Sequence, residues 1–268
     1  MKFTFNHDLH IHSQLSLCSQ DVEQTTANIL EYAKKNGLST IVLTDHYWDE
    51  TVPTDFWWSK EQNFGHISKA LPLPQADGIE FLFGCETDMD YKLEIGISKP
   101  DFNNFDFVVI PTTHMHMVGP MITEEDAGSI ENKAKAWVAR LDSLLEMDIP
   151  FHKVGIAHLV CHLIERDEEK YLQLLDSIPT VELQRLFKKV AEKGVGVELN
   201  YGDMNFKSEK SQESILRIFR TAKEQGCKFY CASDAHHPEG FVRVKEVFER
   251  AIELLDLKEN DKFIIERK

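Results

Sequence analysis

Two histidines one residue apart, His10 and His12 in Phe5-Asn6-His7-Asp8-Leu9-His10-Ile11-His12-Ser13, are the first residues in the chain whose types and spacing could do chemistry. Phe3 and Phe5 lead into them with a β-like alternation. Alternate side chains of a strand share a face, so both imidazoles project together and can grip one metal ion. Asp8 is expected on that face too, placed to orient a histidine through its second ring nitrogen. An isolated His-x-His is as readily a surface strand, and residues further along decide between the two. His46, Glu86, His114, His158, Asp234 and His236 each fall at or just past the end of a short apolar run. Imidazole and carboxylate in such a set suit zinc, manganese or iron(II). A bridging carboxylate, for which Glu86 and Asp234 are candidates, holds two ions about 3.5–4 Å apart. A hydroxide shared between two such ions is a nucleophile at neutral pH, and the same ions can clamp the non-bridging oxygens of a phosphate ester. Neither a G-x-S-x-G elbow nor a G-x-x-x-x-G-K-[ST] loop occurs, which disfavours serine-hydrolase and P-loop chemistry.

The elements that must position these residues are legible as β-branched or apolar runs between amphipathic stretches. Strands are expected at 39–44, 79–85, 105–110, 154–157, 195–199 and 229–232, after the His-x-His strand. Asp21, with Gln24 at capping-box spacing, is expected to open a helix that Gly37 ends. Further helices are expected over about 128–147, up to Gly194, after the sixth strand, and over about 241–256. Short, continuously apolar strands alternating with helices imply a parallel sheet covered on its faces. Seven such units point to a closed or nearly closed barrel, an α/β fold whose strand ends open onto one face where sites are built. Ligand-type residues then fall at six of the seven strand ends; Val195–Leu199 is the exception, with Glu198 and Asn200 flanking its end. No repeat or linker interrupts the pattern, so residues 1–268 are expected to form one domain. The long irregular stretch 47–78 is of the kind that carries function, and its Trp57 and Trp58 are candidates for a lid or a stacking surface.

A 42% hydrophobic content can fill a sizeable core, and a formal charge of −15 argues against long nucleic acids and anionic membranes as partners. Bound divalent cations would invert that field locally, so a small phosphorylated substrate remains compatible. Five irregularly spaced cysteines make no disulfide framework, and no apolar run reaches a membrane span. A reduced, cytoplasmic protein is expected; the sequence leaves its oligomeric state open.

Asp8-Leu9-His10-Ile11-His12-Ser13, Thr44-Asp45-His46, Gly84-Cys85-Glu86, Thr113-His114, Ala157-His158 and Ser233-Asp234-Ala235-His236 together resemble the successive motifs of the PHP (polymerase and histidinol phosphatase) family, from about residue 5 to 240. The resemblance implies a distorted (β/α)7 TIM-like barrel with two or three divalent ions (Zn, Mn or Fe) that hydrolyses phosphoesters. By motif, His10 and His12 would hold one ion with Glu86 and Asp234, and Glu86 would bridge to a second ion held by His114 and His158. His46 and His236 would take a third, with a ligand from the loop after His12. There the chain departs from the family, which usually has histidine or aspartate where this sequence has Cys18. A thiolate binds zinc or iron(II) well, and a small buried cysteine is the other reading. Asp45 is expected to orient a ligand rather than bind metal. On the substrate side, Lys92, Lys153 and Arg166 are candidates for phosphate contacts. His116, His162 and His237 are candidates for protonating the leaving alkoxide, with His116 also a candidate substrate contact. A small-molecule phosphomonoesterase is the leading reading, with histidinol phosphate the first specific substrate. The alternatives are nucleotide or oligonucleotide cleavage, and a non-catalytic metal-dependent binding protein on the same scaffold.

Overall fold

The computed structural model describes residues 1–56 and 59–266; Trp57 and Trp58 lie outside the described residues. Seven parallel strands pair in chain order: β1 (His7–Ile11), β2 (Thr40–Leu43), β3 (Glu80–Glu86), β4 (Phe107–Pro111), β5 (Val154–Ala157), β6 (Gly196–Asn200) and β7 (Lys228–Ala232). Between and after them lie α1 (Thr26–Asn36), α2 (Phe64–Ile67), α3 (Glu124–Ala127), α4 (Ile130–Glu146), α5 (Glu168–Ser177), α6 (Thr180–Lys193), α7 (Tyr201–Met204), α8 (Glu209–Glu224) and α9 (Val244–Leu254). This is the expected distorted (β/α)7 barrel. No helix among the described residues is long and apolar enough to cross a membrane.

The period-2 alternation of strands divides the core in two. Leu9, Val42, Leu82, Phe107, Val109, Ala157, Tyr230 and Ala232 fill the barrel interior, capped from one end by Phe263. Ile41, Leu43, Val108, Ile110, Ile156, Val197 and Leu199 pack outward against the helices. Gly155 is required where it stands, because a Cβ there would lie 2.4 Å from the Tyr230 hydroxyl and 2.6 Å from Phe107. That space lets Tyr230 cross the interior to the acid that organises the site.

β1 departs from simple alternation. Its register with β2 shifts between Asp8 and Ile11. Leu9 joins the interior while Ile11 packs with the helices. Such a bulge turns two successive residues to one face, so His10 follows Leu9 inward and His12 keeps it company. Asp8 is left on the other side, where its carboxylate accepts from Ser233 N and from the Tyr32 hydroxyl of α1, both at 2.9 Å.

β7 and β1 close the barrel with few ladder bonds. Asp234 N donates to His10 O at 2.8 Å and His12 N to Ala235 O at 3.1 Å. Side chains complete the seam: Ser233 N–H goes to Asp8, and Cys231 N–H to His7 Nε2 at 3.0 Å.

Several elements differ from expectation, among them the short helices α2, α3 and α7, which the sequence did not signal. Thr25, not Asp21, caps α1, its hydroxyl accepting from Asn28 N at 3.2 Å. Asp21 caps a turn at Glu23, and the buried Gln24 side chain donates to His12 O and Ala235 O. The capping-box spacing misled because both residues have tertiary partners. Gly37 ends α1 in the left-handed region, as expected. α5 was not anticipated; its buried stripe of Tyr171, Leu172, Leu174 and Leu175 is short and follows a charged run.

His7 makes barrel closure sensitive to acid. Burial, with the Lys262 charge beside it, pushes its pKa down to about 3. The unfolded chain takes up this proton near pH 6.5 and the folded chain only near 3. His7 therefore contributes stability above pH 6.5 that is lost as pH falls towards 3, at about 1.4 kcal/mol per pH unit. In metal-stripped protein, the drop in unfolding free energy from pH 7 to 5 should be about 2 kcal/mol larger for wild type than for His7→Gln. Equal drops in urea titrations would refute the assignment.

Candidate metal centre

The mouth of the barrel gathers the residues singled out from sequence. His10 Nε2 and His12 Nε2 lie 3.0 Å apart. Glu86 Oε2 is 3.5 and 3.3 Å from them, and Asp234 Oδ1 is 3.4 and 3.2 Å away. Glu86 Oε2 also reaches His46 Nδ1 at 3.1 Å, while its other oxygen reaches His158 Nε2 at 3.2 Å. The two carboxylate oxygens thus face different imidazoles, the arrangement a bridging ligand needs. His10, His12 and Glu86 are almost fully buried.

The outer nitrogens decide what the inner ones can do. Glu198, buried in the interior, accepts from His10 Nδ1 at 2.9 Å. His12 Nδ1 meets Ser16 Oγ at 2.8 Å, and that hydroxyl already gives its proton to Asp45 Oδ1 at 2.8 Å. Ser16 must therefore accept from His12. His114 Nδ1 donates to Asp88 at 2.5 Å, and His236 Nδ1 to the Asp234 carbonyl at 2.8 Å. His158 Nδ1 meets Thr113 Oγ1 at 3.1 Å, whose proton goes to the His158 carbonyl. In all five imidazoles the proton sits on Nδ1, which leaves Nε2 as the atom available to a metal.

Lone pairs and carboxylates crowded this closely require positive charge. Burial opposes charge on Glu86, yet His46, His10 and His12 hold its carboxyl well below the usual range. Burial likewise opposes protonation of His10, and Glu198, Asp234 and Glu86 overcome it, raising its pKa well above the ordinary value. Protons can meet only part of the demand, because two Nε2 atoms 3.0 Å apart have room for one between them. Divalent cations meet it fully, and their binding would release protons. The donor set therefore fits metal.

Three groups are close enough to hold an ion, their ligand atoms within 4.8 Å of one another: His10, His12 and Asp234; Glu86, His114 and His158; and His12, Cys18, His46 and His236. His12 belongs to two of them. With Nδ1 on Ser16 it has one nitrogen to give, so binding beside His10 leaves Cys18, His46 and His236 for the third. His158 (φ 27°) and Asp234 (φ 53°) sit in the left-handed region, unfavourable for both residues. Glu198 Oε1 accepts from His158 N at 3.1 Å, and the Asp234 N–H is fixed on His10 O, so the surroundings impose both conformations.

Other expected residues fall in different places. Asp45 touches no candidate ligand ring; it accepts from Ser13 N, Ser13 Oγ and Ser16 Oγ, acting on His12 through Ser16. Asp8 does not orient a histidine ring, because the bulge turns it away. Glu198 has that role, and the alternation inside β6 was the signal that could have found it. Asp88 is its counterpart for His114.

A cavity of about 570 Å³ opens over the cluster, lined by Cys18, His46, Glu86, His114, His158, Asp234 and His236 and also by His116, His162 and Asp203. Burial, with His114 and Arg166 nearby, pushes His116 down to about 4. Burial raises Asp203 to about 7. Lys92 is not in the cavity wall; its ammonium lies over the Tyr91 ring. Arg166 is near enough to act on His116 through charge but does not line the cavity. Lys153 serves the opposite end of β5, donating to the carbonyls of Phe102 and Phe105. His237 pairs with Asp21 at 3.2 Å outside the cavity.

The PHP domain family model matches residues 8–202, most of the chain, and the protein belongs to that family. The fold resembles that of a histidinol phosphate phosphatase from Lactococcus lactis subsp. lactis Il1403, solved with zinc, L-histidinol and phosphate; identity is 19%, the TM-score 0.60, and coverage 92% of this chain and 93% of that one. It also resembles the HisK protein of Listeria monocytogenes, at 14% identity and a TM-score of 0.59, over 90% of this chain and 99% of that one. No curated protein matches at the sequence level.

Two measurements probe the cluster. Glu198→Gln keeps the shape but weakens the acceptor on His10, and should lower metal affinity about 10–100-fold in a chelator competition. Unchanged affinity would remove Glu198 from the site. Cobalt(II)-loaded protein should show a sulfur-to-metal charge-transfer band in the near ultraviolet that Cys18→Ser abolishes and no other cysteine substitution affects. A band independent of Cys18, or no band, would exclude it as a ligand.

Proposed function

We propose that this protein is a metal-dependent phosphomonoesterase of small molecules, with histidinol phosphate the first substrate to try. The observation that carries the reading is the set of inward Nε2 atoms and acids around Glu86 at the floor of a cavity of small-molecule size. His10, His12 and Asp234 would hold one ion, His114 and His158 another, and His46 with His236 a third, Glu86 lying between the first two. When bound, such ions supply Lewis acidity, lowering the pKa of water and neutralising phosphate charge. The chain does the orienting. Glu198, Ser16, Asp88 and Thr113 fix the imidazole tautomers, and buried Arg140 ties the carbonyls of Met89, Asp90, Thr112 and Met121 together beneath the segments carrying Asp88 and His114. Apolar Leu17, Met117 and Leu163 on the cavity wall limit water around the bound ester. The Lactococcus protein, bound to zinc, L-histidinol and phosphate on the same fold, supports this choice of first substrate. The absence of lysine and arginine from the cavity lining, among the described residues, speaks against long nucleic acids.

Turnover of p-nitrophenyl phosphate and of histidinol phosphate should disappear with a chelator and return with Zn²⁺ or Mn²⁺. Glu86→Gln should lose bound metal and at least about 10³-fold of the rate together, as expected when a charge-stabilising group is removed. Full activity in that variant with two or more ions retained would refute the bridging role. A metal-loaded wild type inert to every phosphomonoester would refute the enzymatic reading.

A further inference from the structure

The two oxygens of Asp234 have different partners. Oδ1 meets the imidazoles, 3.4 Å from His10 Nε2 and 3.2 Å from His12 Nε2. Oδ2 meets the side-chain amide of Asn200, 3.3 Å from Nδ2. The same amide nitrogen reaches Glu198 Oε1 at 2.8 Å, while Asn200 Oδ1 accepts from Gly202 N at 2.8 Å. The bond from Gly202 fixes which way round the amide sits. A backbone N–H can only donate, so the atom facing it is the oxygen, and the NH2 group must face the acids. Its two hydrogens are both committed, one to each carboxylate.

Strand geometry puts Asn200 there. Glu198 and Asn200 are two residues apart on β6 and share the interior face. In the register of β6 with β7, Glu198 stands beside Tyr230 and Asn200 beside Ala232, both of them interior residues. Ala232 is small, which leaves the Asn200 amide room to reach Asp234, two residues further on. Asn200 is 4% exposed, so little water competes for its hydrogens. Asp234 is itself fixed at the backbone, with φ 53° and its N–H on His10 O.

A carboxylate can give a cation one oxygen or two. Two oxygens on one ion take up two coordination positions, and an ion that activates water or polarises an ester needs a position open. An amide is suited to hold the spare oxygen, because it donates without cancelling the negative charge that draws the cation in.

We infer that Asn200 is a positioning residue, which keeps the second oxygen of Asp234 off the ion so that Asp234 serves through Oδ1 alone and leaves room there for water or phosphate. The inference rests on the metal-dependent reading above and concerns how a ligand is presented, whichever ester is cleaved.

Two variants each remove both N–H groups and have opposite side effects. Asn200→Asp keeps an acceptor for Gly202 N but adds charge; Asn200→Ala adds no charge but loses the acceptor. An effect common to both belongs to the missing N–H groups. Chelator competition gives the affinity for Zn²⁺, isothermal titration of zinc-loaded protein gives the affinity for inorganic phosphate, and p-nitrophenyl phosphate gives kcat. In both variants Zn²⁺ should be held at least as tightly as in wild type, while phosphate affinity and kcat fall about tenfold or more, the scale on which groups behind a ligand act. A residue that served packing alone would lower metal and phosphate binding together. Such a joint loss, or phosphate binding unchanged in either variant, overturns the inference. Water-proton relaxation of Mn²⁺-loaded wild type needs no variant: it should reveal rapidly exchanging water that phosphate displaces, and finding none also overturns it. A wild type that binds no metal sinks both this inference and the reading it rests on. The expected split between metal and phosphate affinity, in a protein that cleaves no phosphomonoester, would sink the enzymatic reading and keep the Asn200 assignment.

Discussion

Every feature of the barrel mouth follows from one electrostatic constraint: several imidazole lone pairs and two carboxylates face each other at little more than 3 Å, away from bulk water. Such a cluster is unstable on its own terms, since like partial charges repel more strongly where the dielectric is low. It persists because outer acceptors fix each ring with its proton turned away. Glu198, Ser16, Asp88, Thr113 and the Asp234 carbonyl each take an Nδ1 proton. The strain of the inner cluster is thus balanced by hydrogen bonds in the outer one, and a cation at the centre converts the repulsion into coordination. Acceptors that hold ligand rings are accordingly as much a part of a metal site as the ligands.

The barrel supplies these two layers by geometry rather than by loop sequence. The bulge in β1 turns His10 and His12 inward together while sending Asp8 to the seam with β7. Gly155 leaves space for Tyr230, whose hydroxyl donates to Glu198 at 3.0 Å, so the interior packing and the His10 tautomer are linked through one side chain. The seam itself borrows side chains, His7 and Asp8, where backbone bonds run out. Closure of the sheet and assembly of the site share residues, and one cannot be loosened without the other.

Much of this was legible in the sequence because the strands are short and apolar and each ends abruptly at a polar residue. Parallel strands put those endings on one face, so listing the endings came close to listing the residues that cluster there. What stayed hidden depends on side-chain direction. The i, i+2 rule put Asp8 beside His10, and a one-residue bulge, which has no sequence signature, reversed that. Glu198 lay inside an apolar run and read as a flanking acid, although its β6 alternation places it in the interior with Gly196 and Asn200. Lys92 and Lys153 sit beside the right motifs, yet neither belongs to the cavity wall: one lies over Tyr91 and the other binds carbonyls at the far end of β5. Asp21 and Gln24 matched a capping box by spacing while both were committed to contacts far away in the chain.

The missing lysines and arginines have a physical consequence for how an anion can be bound here. Among the described residues no lysine or arginine lines the cavity, so a phosphate entering it, in a chain of formal charge −15, finds its countercharge mainly in what the imidazole and carboxylate cluster holds. Charge neutralisation, orientation and activation would then be concentrated on the cavity floor, leaving the walls free to read the rest of the molecule. In a site that clamps phosphate with arginine, the clamp itself fixes the ester and the walls contribute less. Here the walls are apolar apart from a few polar groups, so each such group carries more of the discrimination.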